Sequence, residues 1–174
     1  MEEKMRVLPE MRETIEQELG LVSGPPRVAE AGHNRILNRG RFDGMTVGRG
    51  GGAYFSFETG LNDYNQGPDL ELQSWGFSSG FYGGNIGFVT RLEGNNLGGV
   101  TMDDIPGELK KATVEHQDSR GFRSAVSAVG GVYAVRAYRS GASDILAAFQ
   151  VTDQDQYGAG FDWKIMKVFP KPKR

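Results

Sequence analysis

Apolar and polar residues alternate along much of the chain after residue 27, with the period of two that half-buried β-strands show. In residues 53–58 the apolar side chains take one parity, and residues 69–73 repeat the pattern. Further strands are predicted at residues 86–89, 122–128, 132–138, 145–152 and 161–169. Because residues 145–149 are apolar at both parities, we expect them to form a central strand of a sheet.

Glycines mark the turns between these predicted strands. Fifteen of the 26 glycines lie between Gly44 and Gly99, where they supply backbone angles that tight turns need. Residues 122–128 and 132–138 are predicted to pair around Gly130 and Gly131, and the last two strands are predicted to pair across a polar loop. Eight or nine short strands separated by turns indicate a mainly β fold, an antiparallel sandwich or barrel.

Residues 1–22 are predicted to hold the clearest helix. Met11, Ile15 and Leu19 recur every four residues and give it one narrow apolar stripe, and Gly20 can end it. A helix this short needs a surface to pack on. We therefore expect it to lie over a sheet or to pair with a second subunit.

The rest of the chain is predicted to form one β-rich domain. Residues 23–27 contain Ser-Gly-Pro-Pro and predict a linker, residues 28–170 form the domain, and residues 171–174 form a basic tail. A further short helix is predicted near residues 104–114, where apolar residues share one helical face.

Residues 161–165, Phe-Asp-Trp-Lys-Ile, resemble the last strand of nuclear-transport-factor-2-like folds. That resemblance implies an alternative architecture, an α+β cone in which helices pack on one curved sheet.

A second resemblance spans residues 48–170. It is carried by six stretches that occur in the same order: residues 50–57, 69–73, 77–81, 133–136, 143–149 and 163–166. Together these stretches resemble a group of small, uncharacterised bacterial proteins with no assigned activity. The resemblance implies no catalytic residue, cofactor or substrate for this chain.

Composition excludes several functions. The 174 residues include no cysteine, which excludes disulfides, thiolate metal sites and a cysteine nucleophile. A formal net charge of −2 without a long basic run does not favour nucleic-acid binding. No apolar run has signal-peptide or membrane-spanning length, so we expect a cytoplasmic protein that does not bind membranes. We expect no cofactor, since strand-like sequence follows the glycine-rich loop at residues 48–53.

One candidate catalytic site is centred on Ser78, whose surroundings match the G-x-S-x-G pattern of a hydrolase nucleophile. Asp103 or Asp104 and then His116 follow in the order of an α/β-hydrolase triad. Such a serine needs a helix directly after it, and Phe-Tyr-Gly-Gly-Asn at residues 81–85 disfavours one. A serine in a β-turn is therefore the preferred interpretation, with a small hydrolase or lyase as the alternative.

Asp63, Asp69 and Glu71 form the strongest acidic cluster. Oxygen-rich loops hold calcium, and paired carboxylates on one strand face carry out acid–base chemistry. No EF-hand spacing is present, and a solvated polar face explains the same residues. Asp69 with Glu71 is the second pair considered for the alternative enzyme.

The aromatic residues Trp75, Phe77, Phe81 and Tyr82 are the candidate ligand-binding residues. Interspersed with glycines, they can line a shallow groove that binds a sugar, a peptide or another small molecule by stacking. Ordinary core and cross-strand packing is the preferred interpretation of these residues. The leading functional hypothesis is a non-catalytic β-rich protein that works by binding or by self-association as a homo-oligomer.

A third functional hypothesis is a β-barrel that holds an apolar ligand. Its cavity would be lined by five apolar side chains of the predicted strands: Phe55, Phe57, Leu70, Leu72 and Phe149.

Overall fold

Nine strands in two antiparallel sheets make up most of the described structure, which confirms the prediction of a mainly β fold. The structure is a computed structural model, and it describes residues 30–39, 52–62, 67–80, 85–94, 96–111 and 124–172. The strands are β1 (Ala31–Leu37), β2 (Tyr54–Phe55), β3 (Leu70–Gln73), β4 (Gly76–Ser78), β5 (Ile86–Leu92), β6 (Ser124–Val126), β7 (Val132–Arg139), β8 (Ser143–Gln154) and β9 (Gly158–Val168).

The larger sheet has the order β1-β9-β8-β7-β5, and the smaller has the order β2-β3-β4-β6. Strand β8 lies at the centre of the larger sheet, as its apolar residues at both parities predict. The predicted hairpin of the last two strands is confirmed, with Phe149 opposite Trp163. Both strands are longer than predicted, so only residues 155–157 separate them.

The predicted hairpin of residues 122–128 and 132–138 is wrong. Strand β6 pairs with β4 in the smaller sheet, whereas β7 pairs with β5 and β8 in the larger one. Gly130 and Gly131 carry the chain from one sheet to the other. The Gly130 N–H donates to the carbonyl of Val151 at 2.8 Å, and the Gly131 N–H donates to that of Ala128 at 2.9 Å. Gly130 and Gly131 therefore mark a connection between the two sheets and not a hairpin turn.

An aromatic core fills the space between the sheets. Phe55 meets Phe161 edge to face at 5.1 Å between ring centroids, and Phe77 meets Phe149 in the same way at 4.9 Å. All five residues proposed to line a ligand cavity are fully buried in this cluster: Phe55, Phe57, Leu70, Leu72 and Phe149. These side chains pack against one another and form the core of a β-sandwich. On this face the larger sheet packs against a second sheet, whereas in an α+β cone helices would pack on it.

The other face of the larger sheet is also buried. A segment with two 3₁₀ turns (Leu97–Gly99 and Met102–Asp104) and a short helix α1 (Gly107–Lys110) covers it. Ile105 and Leu109 of that segment pack on the apolar residues of β5, β7 and β8. The helix predicted near residues 104–114 is thus matched only loosely.

Several predicted segments lie outside the described residues. They are the helix at residues 1–22, the linker at residues 23–27 and the last two residues of the basic tail. In the described part of the chain, no helix has the length and apolar character needed to cross a membrane.

Candidate functional site

A polar row crosses the outer face of the smaller sheet and consists of Tyr54, Glu71 and Ser78. The register places Tyr54 opposite Glu71, Glu71 opposite Ser78, and Ser78 opposite Ser124. Because Leu72 faces the core and side chains alternate along a strand, Glu71 faces outward. The structure thus sets Glu71 directly opposite Ser78, two residues that the sequence placed in separate catalytic hypotheses.

Glu71 lies buried at 3% exposure, and its partner is an arginine. Arg39 Nη1 donates to Glu71 Oε1 at 2.8 Å, and the guanidinium lies 5.9 Å from the centroid of the Tyr54 ring. The hydrogen bond to Glu71 raises the pKa of Arg39 above its ordinary value. Burial, together with the Glu71 charge, raises the pKa of Tyr54. The Glu71 carboxylate is therefore the buried counterion of Arg39, whose own side chain is partly exposed.

Asp69 lies at 1% exposure, just before β3. It accepts the Phe57 N–H at 2.8 Å and the Ser56 hydroxyl at 3.3 Å through Oδ2. Its Oδ1 accepts no hydrogen bond from the described residues, although Arg139 Nε lies 3.3 Å away. Arg139 also pairs with Glu58. Burial raises the pKa of Asp69 to about 6, against the opposing effect of Arg139.

The interpretation of Asp69 and Glu71 as a solvated polar face is therefore wrong, since both are buried. Each carboxylate pairs with a different arginine, Asp69 with Arg139 and Glu71 with Arg39. Asp63 lies outside the described residues. Within the ranges that the structure describes, no three His, Asp or Glu side chains are grouped so that they could hold a metal ion.

The members of the proposed triad that the structure describes have structural contacts. The interpretation of Ser78 as a serine in a β-turn is wrong, because Ser78 is the last residue of β4 and pairs with Glu71 and Ser124 in the strand ladder. The Asp104 carboxylate accepts the Thr101 N–H at 2.7 Å and the Thr101 hydroxyl at 2.9 Å, and so caps a 3₁₀ turn. These hydrogen bonds lower the pKa of Asp104. His116 lies outside the described residues.

The four candidate ligand-binding aromatics differ in their surroundings. Phe77 is fully buried, edge to face with Tyr133 at 5.4 Å, and belongs to the core. Phe81 and Tyr82 lie outside the described residues. Trp75 is partly exposed at the turn between β3 and β4, so it is the one described member that reaches the surface.

The turn that carries Trp75 has a strained backbone. Ser74 and Trp75 have φ angles of 50° and 62°, in the left-handed region, and connect the cross-strand pair Gln73 and Gly76. Two consecutive residues of this kind form a type I′ hairpin turn, for which Asn-Gly is the preferred sequence. A bulky residue with positive φ is an outlier. The pair Ser-Trp gave no sequence signal for this geometry.

Two exposed valines belong to β6 and to the residues that follow it, the segment that pairs with β4 next to the turn of Trp75. Val126 is 74% exposed and lies opposite Gly76 in the ladder, and Val129 is 61% exposed. The N–H of Ser127, between them, donates to the Trp75 carbonyl at 2.8 Å. We call Trp75, Gly76, Val126 and Val129 the Trp75 surface.

No protein-family model, curated protein or solved structure matches this chain. The resemblance to small bacterial proteins stays a prediction.

Proposed function

We propose that this protein is a non-catalytic β-sandwich that works by self-association through the Trp75 surface. The observation that carries the proposal is the strained turn at Ser74 and Trp75. Residues held in such backbone regions cost on the order of 1–3 kcal/mol each, and they concentrate at functional sites. A turn that only reversed the chain could use Asn-Gly and would avoid the strain of a tryptophan in this conformation.

The surroundings of Trp75 suit a protein interface. Val126 and Val129 are among the most exposed large apolar residues of the described chain. Contiguous exposed apolar residues mark interaction surfaces in soluble proteins. Tryptophan is enriched among the residues that dominate binding energy at such surfaces.

A second copy of the chain fits this surface because the surface holds a projection and a recess side by side. Gly76 has no side chain, and a Cβ added there would meet only the Gln73 carbonyl, at 3.5 Å. Bare backbone beside Val126 thus leaves room for a flat ring. Under a two-fold axis, the Trp75 of each copy would cover Gly76 and Val126 of the other, which is the self-complementary contact of a symmetric dimer.

The test separates folding from association. We expect the unaltered chain to form dimers in sedimentation measured over a series of micromolar concentrations. The double variant Ser74→Asn with Trp75→Gly has the preferred type I′ sequence. We expect it to be monomeric and at least as stable towards urea as the parent.

The matched control is Tyr157→Ala, which removes another exposed aromatic at a different hairpin turn. We expect this variant to dimerise as the parent does. A parent chain that stays monomeric at high micromolar concentration contradicts self-association. A double variant that dimerises like the parent shows that the contact lies elsewhere.

A further inference from the structure

A groove of about 380 Å³ lies on β9 beyond the start of β1, and it is lined by Glu30, Ile165, Met166, Lys167 and Val168. Strand β1 begins at Ala31, opposite Lys164. One residue earlier, the Glu30 carbonyl accepts the Ile165 N–H at 2.7 Å. The groove therefore occupies the place that β1 would fill if the chain before Glu30 continued along β9.

The groove combines apolar side chains with a strand edge. Ile165 packs against the core between the sheets, and Val168 is 53% exposed. Residues 166–168 of β9 come after Ile165, the residue that bonds to Glu30. On one side they neighbour β8, where Val168 pairs with Ile145. In the described ranges, no strand lies on their second side. An open edge with exposed apolar residues favours pairing or a cover.

We infer that the groove is the docking site of the segment that precedes Glu30 in the same chain. That segment enters the described structure at Glu30, which itself lines the groove. Its predicted helix has an apolar stripe, Met11, Ile15 and Leu19, that needs a surface to pack on. The chain between Leu19 and Glu30 spans up to about 35 Å when extended, so the stripe can reach the groove.

Charge supports the same pairing. Residues 9–20 contain four glutamates and one arginine, so the predicted helix is acidic. Lys167 lines the groove, and Lys171 follows a few residues later. An acidic helix with an apolar stripe therefore complements a surface that offers apolar side chains and lysine.

Disulfide cross-linking tests this inference directly, because the chain has no cysteine of its own. Val168→Cys is combined with Ile15→Cys or with Leu19→Cys on the stripe. The matched controls combine Val168→Cys with Glu13→Cys or Gln17→Cys, which lie on the opposite face of the predicted helix. We expect the stripe pairs to form an intramolecular disulfide at least about 10-fold faster than the controls, because contact raises the effective concentration of the two thiols.

Equal rates for both faces overturn the inference. A cross-linked dimer as the main product also overturns it, because a second copy would then occupy the groove.

Hydrogen exchange on full-length chains provides a second measurement without cysteines. Ile15→Asp with Leu19→Asp should speed the exchange of the amides in residues 166–168, because the cover is lost. The control Thr14→Asp with Gln17→Asp adds the same charge and should leave exchange unchanged. Unchanged exchange in the stripe variant overturns the inference.

Discussion

Arg136 and Asp144 form a two-point ion pair inside the protein, with 2.5 Å between Nε and Oδ1 and 2.7 Å between Nη2 and Oδ2. Arg136 is fully buried, and its Nη1 donates to the carbonyls of Leu109 and Lys111 at 2.7 and 2.9 Å. Its guanidinium also stacks 3.4 Å from the centroid of the Phe169 ring. One arginine thus holds the end of α1 onto the outer face of the larger sheet.

Removing this arginine should destabilise the fold strongly. Arg136→Ala leaves the Asp144 carboxylate buried without its partner, a loss of about 3–5 kcal/mol in comparable buried pairs. We expect a fall of that size in the free energy of unfolding measured in urea. Arg91→Ala, at an exposed arginine on β5, is the control and should change it by less than about 0.5 kcal/mol. A loss below about 1 kcal/mol in Arg136→Ala would show that the ion pair is dispensable.

The Asp69 carboxyl predicts an unusual pH dependence of stability. Its pKa in the fold is about 6, above the ordinary value of 3.8, so between these values the folded chain binds more protons than the unfolded chain. The contribution of this group to stability therefore increases as pH falls from 7 to 4, and it is lost as pH rises through 6. A pKa difference of this size corresponds to about 3 kcal/mol.

Asp69→Asn tests this pH dependence. An asparagine oxygen can still accept the Phe57 N–H, but the group no longer titrates. We expect the parent, relative to Asp69→Asn, to gain unfolding free energy between pH 7 and 4. Parallel pH profiles for the two proteins would mean that Asp69 has an ordinary pKa.

Alternation along the chain predicted seven of the nine described strands, whereas β1 and β4, which place Ile36 and Phe77 in the core, were not predicted. The residues of β8 are apolar at both parities, which only a strand covered on both faces can satisfy, and the structure covers both. The same rule placed Asp69 and Glu71 opposite the core-facing leucines of β3. It could not show that the outer face is covered there, because burial of that face depends on distant residues such as Arg39 and Arg139.

Strand pairing and turn geometry were harder to predict, because different structures share one local signal. Gly130 and Gly131 suit a hairpin and a crossing between sheets equally well, and only the positions of β4 and β5 decide between them. Ser74 and Trp75 carry no marker of positive φ. The turn is imposed by the pairing of β3 with β4, which is a tertiary effect.

The backbone of Gly80, after β4, closely approaches that of Gly87 in β5, and this contact predicts another sensitive position. A Cβ at Gly87 would collide with the backbone of Ser79 and Gly80. We expect Gly87→Ala to lower the free energy of unfolding by about 1–3 kcal/mol, the usual cost of overpacking. The control is Gly107→Ala at the start of α1, where nothing lies within 4 Å of the added Cβ. It should raise stability by about 0.4–1 kcal/mol. Equal effects of the two substitutions would contradict this packing.

The two tryptophans of the chain predict a spectroscopic signature of self-association. Trp163 is buried at 2% exposure and its indole N–H donates to Asn34 at 2.8 Å, whereas Trp75 is partly exposed. If dimers form at the Trp75 surface, the ring of Trp75 leaves water as concentration rises, and its emission moves to shorter wavelength.

We expect this shift in the variant Trp163→Phe, whose tryptophan emission reports Trp75 alone. In Trp75→Phe the emission of Trp163 should not change with concentration. A shift in Trp75→Phe, or constant emission in Trp163→Phe while sedimentation shows dimers, would place the contact away from Trp75.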